Sequence, residues 1–327
     1  MKIVVDMMGS DLGSSATCQG VELFIKSHPD VELICVGKET ELSSLIGKVK
    51  IINAPDVVLM TAGAMEVLRA KNSSMMVAIN EALKQDADAI VSAGSTGGFL
   101  SATTLKIKLI EGVERAAIVS PFPTAIKGQK AAVLDIGASN ENTADQLVQF
   151  ALMGRIYARA VFKKEEPAVY LLSNGSEDEK GTPEIKEAHR KLKEMDFPGF
   201  KGNVEAREAL DGRADVIVTG GFAGNIFLKA TEGIAKMMSS MIKKAFKKSL
   251  ASKIGYLLSR KGFKEMSQTM DYKSTGGAML LGINMVAVKA HGNSDAIGFN
   301  GGLEVAYKMA SAKIVEQLKE GIRNEGR

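Results

Sequence analysis

The sequence predicts an α/β protein built on a mostly parallel sheet with helices on both faces. Three observations predict it. Short β-branched runs alternate with longer stretches of helical apolar spacing along 327 residues. Most of these runs end in glycine flanked by Ser, Asn, Asp or Thr, the chemistry of a strand-to-helix turn. Hydrophobic residues make up 45% of the chain and charged residues 24%, an ordinary globular balance that supports a sizeable core. Strand–helix alternation of this kind calls for parallel strands with crossover helices, and it sets any ligand beyond the carboxyl ends of the strands.

The elements run in order. Residues 2–6, KIVVD, are apolar and β-branched and read as a buried strand. Residues 14–27 have helical spacing, and 31–37 (VELICVG) and 49–54 (VKIINA) are the next two strands. Residues 66–84 read as one helix, 87–94 (ADAIVSAG) as a strand and 97–108 as a helix. The alternation continues with a strand at 130–137, a helix at 145–162, a strand at 168–175 and a helix at 184–195. A strand at 215–221 leads into a helix from 225, and 285–290 is a last strand that delivers His291 into a Gly-Asn-Ser-Asp loop. From 229 to 266 the rhythm changes. Apolar residues at 234, 238, 241, 242, 245 and 246 keep helical spacing, so this stretch reads as a protruding helical arm with a break near 252–255. The chain is thus one domain, 1–327, with an arm inserted.

Composition excludes several classes. Forty-two basic and 38 acidic residues leave a net charge of +4, which gives no reason to expect nucleic acid. Two cysteines, Cys18 and Cys35, make no disulfide framework, and with three histidines no metal-ligand spacing appears; no metal and no cofactor are expected. No leader peptide and no membrane-length apolar run is visible, so the expected location is cytoplasmic and reduced.

The informative feature is the set of loops at the strand ends: DMMGSD at 6–11, SAGSTGG at 92–98, DIGASNEN at 135–142, SNGSEDEKG at 173–181 and TGGFAGN at 219–225. Glycine admits a ligand close to backbone N–H groups, and a helix N-terminus adds partial positive charge. One such loop is an ordinary tight turn; five in one chain point to a phosphate-type ligand. The G-x-G-x-x-G dinucleotide fingerprint and the phosphate-loop lysine motif are both missing.

These motifs carry a resemblance. The opening VVDMMGSD, RAKNSSM at 69–75, SAGSTGG, LDIGAS, LLSNGSEDEKG, GNVEARE at 202–208, ADVIVTGGFAGNIFLKATEG at 214–233 and DYKSTGGAMLLGIN with the later KAHGNSD resemble the bacterial phosphate acyltransferases in order and over nearly the whole chain. The resemblance implies a three-layer α/β/α sandwich akin to isocitrate and isopropylmalate dehydrogenases and to phosphotransacetylases. It also implies a homodimer formed partly through the arm, and transfer of a fatty acyl group from acyl carrier protein to inorganic phosphate. The acyl phosphate product then passes to a membrane acyltransferase. The sequence departs from the family pattern at Met7, Ser10 and Leu12, at Ser95 and Ser139 where the pattern has Asn, and at Gly220 and Ala223 where it has Asp and Thr. Two alternatives stay open: a phosphotransacylase using another donor such as acyl-CoA, and a catalytically weak paralogue that acts as a binding partner.

Attack of phosphate on a thioester needs a bound phosphate, a stabilised oxyanion and an excluded solvent more than a strong base. The helix starts at Ser95, Thr96 and Gly97 and at Gly224 and Asn225 are candidates for phosphate or oxyanion contact, with Gly9 and Gly137 in the same kind of loop. Lys180, and more weakly Arg69 and Lys71, are candidates to neutralise phosphate. Asp6, Asp11 and Asp135 position donors or cap helices. His291 donates to the oxyanion or the leaving thiolate, or is structural. Neither cysteine suits covalent catalysis, since Cys18 falls in a helix and Cys35 in a buried strand. On the arm, Lys243, Lys244, Lys247, Lys248, Lys253, Arg260, Lys261 and Lys264 run without an acidic residue among them, with Leu257 and Leu258 interleaved. That pattern suits an acidic carrier protein or an anionic membrane surface, and equally a partner subunit.

Overall fold

The computed structural model describes residues 1–247, 249–270 and 276–325, with the backbone alone at 250, 251, 253 and 264–270. The first half of the chain gives β1 (Lys2–Asp6), α1 (Gly13–Ser27), β2 (Glu32–Gly37), β3 (Lys50–Asn53), α2 (Ala64–Arg69), α3 (Ser74–Lys84), β4 (Ala89–Ser92), α4 (Thr96–Ile107), β5 (Ala117–Pro123) and β6 (Lys130–Leu134). The second gives α5 (Ala144–Phe162), β7 (Val169–Ser173), α6 (Pro183–Glu194), β8 (Phe200–Glu205), β9 (Val216–Val218), α7 (Gly221–Lys247), α8 (Leu250–Met270), β10 (Ala278–Leu281), β11 (Val286–Lys289), α9 (Ala296–Ser311) and α10 (Ile314–Glu325).

All eleven strands form one sheet in the order β3-β2-β1-β4-β11-β10-β5-β6-β9-β7-β8. Alternation along each strand sorts side chains between two cores. Ile3 and Val5 of β1 face one side with Phe24, Phe150, Tyr157 and Phe299. Val4 faces the other with Ile34, Met76, Ile79 and Phe99. The result is the three-layer, mostly parallel architecture that the alternation predicts.

Strand direction decides where loops can meet. β1, β2, β3, β4 and β11 are mutually parallel. β6, β9, β7 and β8 are also mutually parallel. Between the two sets lie β10 and β5, joined by antiparallel pairings to β11, to each other and to β6. Three reversals turn the second set upside down relative to the first, so the two sets of carboxyl ends point to opposite edges of the sheet.

Some elements differ from expectation. The expected helix at 66–84 is two helices, because the Ser73 hydroxyl accepts from Met76 N and starts α3 afresh. β5, β8 and β10 were not anticipated, nor were α9 and α10. β5 contains Pro121 and Pro123, which argue against a central strand. They are tolerated because β10 pairs only with residues 117–119 and leaves the proline stretch with a single neighbour, β6. The arm is a helical hairpin of α7, which ends at Lys247, and α8, which begins at Leu250, so the expected break at 252–255 is helical. Phe246 packs on Tyr256 and Phe263 at ring-centroid distances of 5.5 and 4.6 Å and ties the two helices together.

Candidate functional site

The candidate residues fall into two clusters, one at each edge of the sheet. The first lies where β1, β4 and β11, adjacent in the sheet, deliver the loops 6–12, 92–98 and 289–295. Asp6 is 1% exposed and accepts from Ser74 Oγ (2.6 Å), Ser92 Oγ (2.7 Å) and Met8 N (3.3 Å). Burial raises its carboxyl above the usual range against the lowering effect of those hydrogen bonds. Gly9, at φ +78°, lets the first loop meet the second, since a Cβ there would lie 3.1 Å from Gly94 Cα. Asp11 N and Ser10 Oγ both donate to Gly292 O, at 2.8 and 3.0 Å, and fasten the first loop to the third.

Ser95 is the N-cap of α4: its hydroxyl accepts from Gly98 N (3.3 Å), donates to Ala62 O (3.0 Å) and is buried. The residues of that turn open to a ligand are Thr96 and Gly97, both exposed. Arg69 and Lys71 lie at the end of α2, exposed and without an ion-pair partner among the described residues. His291 stands half-buried beside Gly292. Tyr272, Lys273, Ser274 and Thr275 of the motif before β10 lie outside the described residues.

The second cluster lies where β6, β9 and β7 end. Asp135 is fully buried, and its carboxylate is saturated. Oδ1 accepts from Ile118 N (3.0 Å), Gly137 N (3.0 Å) and Ala138 N (2.8 Å), and Oδ2 from Ser139 N (3.0 Å) and Ser139 Oγ (2.7 Å). A carboxylate so enclosed shapes its loop and has no lone pair left for a substrate; catalytic contact, one expectation for Asp135, is closed to it in this arrangement. Asn142 extends the network, accepting from Gly221 N at 3.0 Å and so capping α7, where Gly220 has no side chain to do so. Gly224 is required by contact: a Cβ there would lie 1.9 Å from Asp135 O. Asn225, exposed on the second turn of α7, lies over Gly137, whose added Cβ would come 3.2 Å from Asn225 Nδ2. Its amide has no hydrogen-bond partner among the described residues.

Lys180 is exposed, with its aliphatic stem folded over Gly175. Its loop is held from beneath: buried His189 Nδ1 meets Asn203 Oδ1 at 3.1 Å, and Asn203 Nδ2 donates to Glu177 O at 2.8 Å. An open cleft of about 1410 Å³ runs along this edge, lined by apolar Leu147, Leu172, Phe222 and Ile226 and by Asn142 and Asn174. No hydrogen bond or ion pair among the described residues joins the two clusters. Among those residues, too, no three of His, Cys, Asp or Glu gather in a way that would hold a metal ion.

Sequence reasoning missed Asn142, Ser139 and Lys289. Asn142 was visible only as a polar residue in a loop, and Ser139 only as a departure from the family pattern, with no role assigned. Lys289 had a sharper signal, as the one charged residue in the apolar strand run MVAVKA. It is 8% exposed, and its Nζ donates to Ala93 O (3.2 Å) and to Ala290 O. Burial lowers its ammonium to about 8, opposed by the carboxylates of Asp6 and Asp11, while Lys229 of α7 adds to the lowering.

Comparison with known proteins fits this loop architecture. The family model described as fatty acid synthesis protein matches residues 1–317. The phosphate acyltransferase of an Exiguobacterium species is 40% identical over 328 residues, 98% of each chain. Those of Aliarcobacter butzleri and Lactococcus lactis subsp. cremoris are each 38% identical, over 97% and 99% of both chains. Among solved structures, a phosphotransacetylase from Staphylococcus aureus superposes with a TM-score of 0.55 at 17% identity, over 97% of this chain and 94% of that one. A branched-chain phosphotransacylase from Enterococcus faecalis gives 0.57 at 12%, over 95% and 99%; at these identities the likeness is one of fold. With full-length relatives near 40% identity, this chain belongs to the fatty acid synthesis protein family whose curated members are phosphate acyltransferases, and it is an acyltransferase.

Proposed function

We propose that the protein transfers a fatty acyl group from an acyl carrier protein thioester to inorganic phosphate, giving an acyl phosphate for phospholipid synthesis. The observation that carries this reading is the convergence of three glycine-rich loops at the first edge. There the start of α4 presents Thr96 and Gly97, α2 with Arg69 at its end packs on α4 through Val67 against Gly98, and the third loop carries His291, a setting for an oxyanion. The second edge offers Asn225, its amide unpartnered among the described residues, above a cleft with apolar walls, a setting for the thioester carbonyl and its acyl chain.

The chemistry balances without a covalent intermediate. A phosphate dianion oxygen attacks the thioester carbonyl carbon; the tetrahedral oxyanion collapses as the C–S bond breaks. The proton carried by phosphate ends on the departing sulfur, directly or through His291. Cys18 and Cys35 are buried, and burial pushes both thiols up, so neither is a ready nucleophile. Of the departures from the family pattern, Ser95 still caps α4, Ser139 donates its hydroxyl to Asp135 Oδ2, and Asn142 caps α7 where Gly220 cannot, so the loops remain built for a ligand.

The arm supports a further part of the reading: acyl carrier protein and an anionic membrane surface as partners, near a membrane acyltransferase. Arg260, Lys261, Leu257 and Leu258 are exposed on α8, the two leucines at 67% and 83%. Lys248 and the side chains of Lys253 and Lys264 lie outside the described residues. Among the described residues no helix is long and apolar enough to cross a membrane. A homodimer through the apolar stripe of α7, with Ile234, Met237, Met238 and Met241 exposed, belongs to the same proposal.

The test is release of free thiol from long-chain acyl carrier protein by the purified protein, with and without phosphate. Phosphate-dependent release, a hydroxylamine-reactive product and turnover within about tenfold after changing Cys18 and Cys35 to Ala are expected. Release that ignores phosphate, or an acyl-cysteine trapped on the protein, overturns the reading. Preference for acetyl-CoA over the carrier-bound donor reassigns the donor.

A further inference from the structure

Lys289 is the only lysine or arginine that is buried among the described residues. An ammonium out of water carries a large desolvation cost, and a fold that keeps one there compensates it. The direct partners here are two main-chain carbonyls, Ala93 O of the loop after β4 and Ala290 O of the loop after β11. Neither carries a full charge. A neutral donor such as an amide serves two carbonyls equally well, so the stapling of the loops does not by itself explain a charge.

The surroundings of the ammonium do explain it. Asp6, at the end of β1, is buried, and Asp11, on the adjoining loop, is exposed where an anion would arrive. An anion held at Thr96 and Gly97 therefore approaches an edge of the sheet that carries two carboxyl groups. Like charges in a half-buried site repel strongly. Lys289 is set among the same three loops and offsets them.

We propose that Lys289 is a positioning residue for the anion site: its buried ammonium joins the loops 92–98 and 289–295 and neutralises Asp6 and Asp11 so that phosphate can bind. This rests on the reading that the first cluster is the phosphate site. The charged groups that act on it are Asp6 and Asp11 from β1 and its loop and Lys229 from α7. Its lowered ammonium, near 8, places the loss of charge just above neutral pH.

The experiment uses the full chain and inorganic phosphate. Affinity is measured by titration calorimetry, and KM for phosphate, KM for the acyl donor and kcat are measured separately. Lys289→Met is expected to weaken phosphate at least tenfold while KM for the donor stays within about twofold. Adding Asp6→Asn to Lys289→Met is expected to restore most of the loss, because the carboxylate that needed offsetting is gone. Wild-type phosphate affinity is expected to fall above an apparent pKa near 8. Unchanged phosphate affinity in a folded Lys289→Met protein overturns the proposal, and so does a double variant no better than the single one. Should Lys289→Met not fold, the wild-type profile decides, and affinity that is flat to about pH 9.5 overturns it. Calorimetry needs no donor, so a wild type that binds phosphate but releases no thiol rejects the proposed transfer from acyl carrier protein and leaves this one standing.

Discussion

Asn225 and Asp135 occupy one loop cluster and have opposite parts in it. Asp135 meets five donors and is fully enclosed; Asn225 is exposed with its amide unpaired among the described residues. Asn225→Ala is expected to cut kcat roughly 10²-fold, the scale of a lost oxyanion donor, with the melting temperature within about 2 °C; a change under threefold removes it from the site. Two glycines make a sharper pair. Gly224→Ala puts a methyl 1.9 Å from Asp135 O, so α7 must back away and both stability and activity are expected to fall. Gly97→Ala meets nothing within 4 Å and sits in the first turn of a helix, where alanine is the better former. Its stability is expected to hold or rise slightly while phosphate KM rises, if phosphate comes close to that backbone; equal behaviour of the two variants contradicts the placement. Lys289 adds a pH dependence with a definite sign. Its folded value, near 8, lies below the ordinary 10.5, so between them the unfolded chain binds the extra proton and the fold gains stability as pH rises. The gain is at most about 3 kcal/mol, and denaturant midpoints of Lys289→Met are expected to lack it. Asn225, Gly97, Gly224 and Asp135 were legible as candidates, but their separate parts were not. A sequence shows that an Asp or Ser is present in a loop, not whether its lone pairs are already taken.

The elements were more legible, because apolar periodicity records which faces are buried. β1, β2, β4, β6, β7, β9 and β11 fall where β-branched runs stand, and α1, α4, α5 and α6 begin within a residue of expectation. The failures have local causes. α2 and α3 looked continuous because the cap at Ser73 is one hydroxyl within an otherwise helical pattern. β5 was hidden by its prolines. In the arm, one amphipathic pattern allowed several packings, and the hairpin divides them. Phe246, Tyr256 and Phe263 pack on one another between the two helices, whereas Ile254, Leu257 and Leu258, exposed at 60%, 67% and 83%, make no such ring contacts. Apolar side chains presented beside Arg260 and Lys261 match an interfacial anchor, with each basic residue near an anionic surface contributing about 1 kcal/mol. Leu257→Glu with Leu258→Glu is expected to abolish flotation with anionic vesicles and leave the oligomeric mass unchanged. Loss of the oligomer instead assigns those leucines to subunit packing.

At the scale of the whole molecule, strand direction is the property the sequence could not reveal. Five glycine-ended strands look equivalent when read in a line, and they suggest one composite site. Antiparallel β10 and β5 reverse the second half, so the loops of β1, β4 and β11 open at one edge and those of β6, β7 and β9 at the other. Two clusters result: the first has the start of α4 with Arg69 and Lys71 nearby, the second the start of α7 and Lys180, with an amide unpaired among the described residues over an apolar cleft. α7 is the element that relates them. It begins in the second cluster at Gly221, carries Asn225 on its second turn, and one turn later brings Lys229 close enough to act on Lys289 of the first. If phosphate belongs to the first cluster and the acyl donor to the second, their kinetics must separate. Arg69→Ala with Lys71→Ala removes two cations that have no ion pair to lose among the described residues. Stability is therefore expected to hold while KM for phosphate rises about tenfold or more, a loss of ~1.4 kcal/mol of binding free energy. Donor KM is expected to stay within about twofold. Phe222→Glu puts a charge into the wall of the apolar cleft at a position already 62% exposed, so the fold is expected to survive. Its effect is expected on the donor instead, steeper for long acyl chains than for short ones, because each buried methylene contributes about 0.8 kcal/mol to binding. Steady-state kinetics with phosphate and donor varied independently read both. A Phe222→Glu effect that is the same for every chain length takes the acyl chain out of that cleft, and cation variants that alter donor KM alone exchange the two assignments.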